Sequence, residues 1–291
     1  MTDETTDLVP SRTASRSRST GTEDPGRSKE SNGETGDEPE AATAGEDGPP
    51  SPLRTAADRI RREPTLALPF AIAGLVLTLV DWLRRYDPLP TAAAGGDGIS
   101  IEFAGYPTGT HETIRPLEAL VDLKLPYLAW GIGLEAVALL TVVVAGVVTI
   151  ARVADGDTEA AQTDVSFGRQ LLAYVGLVVL LHSAGRLLGT VGTVGVIFGI
   201  PLFIGILFVL ARFFAAPAYA AAGVGPLSAL RRSVRATRNS SLSLIGLVLT
   251  FGLAAWLLSA IPYAGTLLSS TLVAPIHAVT SAVVRARAAG E

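Results

Sequence analysis

Between Ala211 and Val248 the chain sets Arg231, Arg232, Arg235 and Arg238 into one short segment flanked by two long apolar runs. Such runs limit the possible folds sharply. A helix rises about 1.5 Å per residue, so about 20 apolar residues cross a hydrocarbon core of about 30 Å. Runs of this kind recur along the sequence and predict spans at residues 66–83, 127–150, 171–188, 193–214, 242–261 and 266–284. The third and fourth runs are almost continuous. Only Arg186 and the glycines Gly185, Gly189, Gly192, Gly195 and Gly199 mark a hairpin between them. The expected fold class is an all-α polytopic membrane helical bundle of about six transmembrane helices, preceded by a disordered acidic N-terminal tail.

Charge is distributed unevenly. Charged residues make up 17% of the 291, against about 25% in an average soluble domain. Residues 1–53 alone carry twelve acids and five bases and almost no large apolar groups. A segment of that composition cannot bury enough surface to offset its chain entropy and is expected to be disordered. It lacks the apolar core of a signal peptide. The rest of the chain, 54–291, is mildly basic. Lys29 and Lys124 are the only lysines, and lysine depletion with an acidic tail resembles the composition of proteins from salt-loving archaea.

Arg and Lys near span ends set orientation. Arg59, Arg61 and Arg62 precede the first run, and Arg152 and Arg169 bound the loop after the second. Arg212 and the four clustered arginines follow the fourth, and Arg285 and Arg287 follow the sixth. With six spans these positions share one side, expected to be cytoplasmic with both termini. Arg84, Arg85 and Arg186 fall on the other side and are outnumbered. The expected location is the cell membrane. Residues 86–125 form the one sizeable external loop. Within it Ile99-Ser-Ile-Glu-Phe alternates like a short strand, Pro107 and Gly109 mark a turn, and 117–125 reads as an amphipathic helix on the bilayer.

Two constellations are candidate sites. Gly225-Pro226 is a favourable helix start, and on a helix over 226–239 Arg231, Arg235 and Arg238 share a stripe beside Leu227, Leu230 and Val234. That suits an interfacial helix whose arginine stems lie on apolar surface while the guanidinium groups, Arg232 included, reach phosphates or a partner protein. Asn239-Ser-Ser reads as a glycosylation sequon, irrelevant on a cytoplasmic segment. The second constellation is an intramembrane polar cluster. Glu135 falls inside the second run, where ionisable groups are costly and face protein or water. His182, near the outer end of the third run, reaches similar depth, with Arg186 about one turn further out. Either the cluster holds helices together or it lines a solute or proton path.

Other signals are weaker. Gly185-x-x-x-Gly189 and Gly195-x-x-x-Gly199 permit close helix approach, and Pro201, Pro262 and Pro275 kink or end spans. There is no cysteine, so disulfides and thiolate chemistry are excluded. His111, His182 and His277 are the only imidazoles and lie far apart in sequence, so no metal is expected. Gly-x-Ser-x-Gly, His-Glu-x-x-His and Gly-x-x-x-x-Gly-Lys are missing. The acidic soluble part argues against nucleic acid.

The order Arg212-Phe-Phe-Ala-Ala-Pro217, then Gly223 and Gly225, then Ala229-Leu-Arg-Arg-Ser-Val-Arg-Ala-Thr-Arg238, then another span resembles a known pattern. It is similar to the membrane domain associated with glycerophosphoryl diester phosphodiesterases and to related multi-span proteins of archaea and bacteria. Ile261-Pro-Tyr-Ala-Gly265 and Ala274-Pro275 also fit. The resemblance covers residues 125–291 and implies a six-span bundle. The phosphodiesterase chemistry of that family belongs to a separate soluble domain whose residues this chain does not carry. The sequence therefore predicts a non-catalytic membrane module without cofactor, contacting lipid, a partner membrane protein or a second copy. The alternative is a small-solute or lipid transporter working through the polar cluster around Glu135.

Overall fold

The computed structural model describes residues 50–93, 103–110, 113–115, 123–157, 166–189, 196–238 and 240–290. The expected tail up to residue 49, the strand at 99–102, most of the helix expected over 117–125, and Asn239 lie outside them. The residues from Gly48 onward form one unit. Six of its helices are long and apolar enough to cross a membrane: Pro64–Tyr86, Leu125–Gly156, Phe167–Gly185, Gly199–Ala221, Ser241–Ser259 and Gly265–Gly290. The protein is an all-helical, multi-pass integral membrane protein.

The chain enters through α1 (Pro52–Arg62), whose first turn is capped by Ser51 accepting from the Arg54 amide at 3.3 Å. A 3₁₀ turn at Pro64–Leu66 leads into α2 (Leu68–Tyr86). The two faces of α2 show the logic of the bundle. Leu68, Ile72, Leu75 and Leu79 are exposed, whereas Phe70, Ala73, Leu77, Val80, Asp81 and Arg84 are buried. In lipid the large aliphatics gain nothing by turning inward, so packing and polar contacts decide which face is internal. The two charged residues at the end of the buried face therefore need partners.

A two-residue antiparallel pairing follows, β1 (Ala92–Ala93) with β2 (Thr113–Ile114). Between these strands residues 103–110 enter the bundle instead of staying on its surface. The Phe103 ring lies 5.6 Å from that of Phe203, and the Thr110 amide donates to Ser269 Oγ at 3.0 Å. Two glycines permit the approach: a Cβ on Gly252 would meet the Phe103 ring, and one on Gly109 would meet Ser270.

Next come α3 (Leu125–Asp157) and α4 (Phe167–Gly189). The expected span 127–150 is thus the middle of a longer helix. The fourth span is α5 (Val196–Phe213), with Pro201 inside it, continued after a break by α6 (Ala216–Ala221). The expected end at 214 is the break rather than the end of the span. Then follow α7 (Pro226–Ala236), α8 (Ser241–Ser259), α9 (Gly265–Leu268), a π-helical turn (Ser269–Val273) and α10 (Ala274–Gly290). The last span is central: Ala274, Ala278, Val279, Thr280 and Ser281 have no exposure above 1%. Small side chains let the other helices approach this one closely.

Candidate functional site

The arginine end is built around the α5–α6 break. Where the helix stops at Phe213, its Arg212 carbonyl and Ala215 amide need new partners in an interior without water. α7 supplies them. Ser233 Oγ donates to the Arg212 carbonyl at 2.7 Å and accepts from the Ala215 amide at 3.1 Å. Thr237 Oγ1 donates to the same carbonyl at 3.2 Å and to the Ser233 carbonyl at 2.9 Å. Ala229, Ser233 and Thr237 repeat every four residues and form the buried face of the helix. Of the expected Leu227–Leu230–Val234 stripe, Leu227 and Val234 are exposed and Leu230 is half-buried. The signal for the inner face was the small and hydroxyl residues.

Clamping that face turns the arginines outward. Arg231, Arg232, Arg235 and Arg238 are all exposed, and among the described residues none of their side chains forms an ion pair or hydrogen bond. Neighbouring bases serve the protein itself. Arg59 donates to the Val153 carbonyl at 2.8 Å, Arg285 to the Ala218 carbonyl at 3.0 Å, and Arg287 to the Pro50 carbonyl at 2.6 Å. These bonds tie α1, α3, α6 and α10 together at one end of the bundle. Residues 226–236 are the helical part of the expected 226–239 segment.

The loop end holds buried charge. Arg84 Nη2 lies 2.9 Å from Glu135 Oε1, and its Nη1 donates to the Thr113 carbonyl at 2.9 Å and lies 3.4 Å from Asp81 Oδ1. Asp81 accepts from Thr113 Oγ1 at 2.8 Å and from Thr266 Oγ1 at 2.7 Å. Beyond this triad Arg115 pairs with Asp87, which also accepts from Trp130 Nε1 at 3.2 Å. The network joins α2, α3, the start of α9 and the returning strand β2.

The structure places the expected polar cluster as follows. Glu135 faces Arg84, and His182 Nδ1 lies 3.3 Å from Tyr106 Oη on the inserted segment. The Arg186 side chain lies outside the described residues. Asp81, Arg84, Asp87 and Arg115 were missed as site residues because sequence spacing gives no hint of their partners. Arg84, one of the exceptions to the expected orientation, is buried. Glu135 lies opposite Arg84, two residues before the end of α2.

No protein-family profile, curated protein or solved structure matches the chain.

Proposed function

We propose that this integral membrane protein is a non-catalytic module that recruits anionic lipid headgroups through the arginine face of α7. The observation that carries the reading is the exposure of Arg231, Arg232, Arg235 and Arg238 on a helix whose opposite face is bonded into the bundle. Basic side chains near an anionic membrane surface contribute about 1 kcal/mol each. Arg54, Arg61 and Arg62, exposed on α1, extend the basic belt. On this reading the arginine end is cytoplasmic, in the cell membrane, and the loop of residues 86–125 leaves the bundle on the external side. The likeness of 125–291 to the phosphodiesterase-associated membrane domain belongs to the same proposal, as does association with a partner membrane protein or a second copy.

The test is lipid selectivity in nanodiscs of mixed zwitterionic and anionic phospholipid, read by native mass spectrometry of the bound lipids. The wild type should retain anionic lipid above its bulk fraction. Replacing all four arginines by Gln should remove most of that enrichment at unchanged helix content. Unchanged enrichment in the folded variant would overturn the reading.

A second reading, transport of a small solute or lipid, is favoured by one feature. Glu135 keeps 24% of its side-chain surface open while its partner Arg84 keeps 3%. Glu135→Gln in proteoliposomes separates the readings. Loss of a solute flux at unchanged fold supports transport, and unchanged lipid enrichment in that variant is expected of the module.

A further inference from the structure

Irregular backbone at membrane depth persists only where protein buries it or where it lines a water-filled cavity. Residues 103–110 meet that condition beside a cavity of about 40 Å³ walled by Thr108, Gly109, Thr110, Phe251, Ala255 and His277. Its depth follows from two helices. Gly252 lies eleven residues into α8 and His277 twelve residues past Gly265, which is about 16 and 18 Å of helix. Both place the cavity near the middle of the bilayer.

Two features give this largely apolar space its polar walls. His277 is 6% exposed and packs its ring against Phe214 at 5.0 Å and Phe251 at 4.9 Å, near parallel to both. Those contacts leave both ring nitrogens without a hydrogen bond among the described residues. Along 108–110 no backbone–backbone hydrogen bond is formed among the described residues. The Thr110 amide goes to Ser269, and the Gly109 carbonyl accepts from Thr108 Oγ1 at 3.1 Å. The π-helical turn reaches the cavity only through Val273. A buried imidazole with no hydrogen bond among the described residues calls for a hydrogen-bonding occupant.

We propose that this cavity is a mid-membrane binding site for a small, neutral, hydrogen-bonding ligand of water size, with His277 as its principal contact and residues 103–110 as its wall on the loop side. Neutrality follows from the lining, which contains no carboxylate, lysine or arginine; an ion at this depth would lack a counter-charge. Size follows from the volume, which suits a water or two. The site is separate from the arginine face of α7 and does not depend on it.

Water itself is the probe. The chain has three histidines, so protein labelled with ¹⁵N at histidine gives a simple solid-state NMR spectrum in bilayers, and His277→Phe assigns the resonance. Magnetisation from water protons should reach the His277 ring nitrogens several-fold faster than its own backbone amide. Ala255→Leu, which fills the cavity, should abolish that transfer. Should Ala255→Leu fail to fold, Thr108→Leu fills the same space from the inserted segment. Ring transfer no faster than amide transfer overturns the proposal, and so does transfer that survives a folded cavity-filling variant.

Discussion

Ser233→Ala tests how this membrane interior tolerates a broken helix. Ser233 is fully buried, and its hydroxyl serves both the Arg212 carbonyl at 2.7 Å and the Ala215 amide at 3.1 Å. Alanine fits the same space, so the variant removes hydrogen bonds with almost no change of volume. The Arg212 carbonyl keeps Thr237, but the Ala215 amide loses its side-chain acceptor. A stranded buried donor costs about 1–3 kcal/mol, whereas side-chain hydrogen bonds in membrane bundles average about 0.6 and reach about 1.7 kcal/mol. Two bonds at a fully buried site place Ser233→Ala at the upper end of the membrane range, about 1.5–1.7 kcal/mol. Thr237→Val should cost about 0.5 kcal/mol, since Ser233 still covers the Arg212 carbonyl. The double variant strips that carbonyl of both hydroxyl donors and should cost about 0.5–1 kcal/mol more than the sum of the singles. Reversible denaturation in mixed micelles, followed by circular dichroism, gives all three values. A Ser233→Ala cost below about 0.3 kcal/mol, or strict additivity of the pair, would refute the clasp.

Arg84→Gln leaves Asp81 and Glu135 facing each other without the intervening cation. Removing one partner of a buried pair costs about 3–5 kcal/mol, so the variant should be strongly destabilised in the same denaturation assay, and adding Glu135→Gln should restore part of the loss. Asp81→Asn keeps an oxygen for one of the Thr113 and Thr266 hydroxyls, which bond different carboxylate oxygens, and should cost less than Asp81→Leu; equal costs would mean that the hydroxyl contact contributes nothing. Gly252→Val displaces the Phe103 ring and should speed amide hydrogen exchange across 103–110 while exchange in α2 and α3 is unchanged; no change in 103–110 would show that the segment is not seated by that contact. Because the chain has no cysteine, single cysteines at Lys124 and Arg232, both exposed, should react with an impermeant thiol reagent from opposite sides of a sealed vesicle. Labelling from the same side would break the orientation argument.

The legible part of this protein was the part written in local composition. Six apolar runs gave six spans because a lipid-crossing helix satisfies its backbone internally and needs only length and apolar side chains. The arginines of α7 were readable for a similar reason: four bases between two spans have nowhere to go but the surface. What they rested on was less visible. Ala229, Ser233 and Thr237 look unremarkable until the α5–α6 break brings Arg212 and Ala215 against them.

Pairings across the chain were decided by tertiary structure alone. Glu135 stood out as an ionisable group within an apolar run, yet its cation came from 51 residues earlier, and Asp81 met Thr266 at a separation of 185 residues. No periodicity connects such positions. The insertion of 103–110 was equally hidden, since Pro107 and Gly109 read as an ordinary turn. By itself the sequence determined that the chain enters the bilayer, how many times it crosses, and which ends carry the bases, because lipid acts on each segment independently. The tertiary structure decided which helix is central, where the loop folds inward and which charges neutralise each other, because inside the bundle an unpaired polar group is costly and its partner is chosen by packing, not by position along the chain.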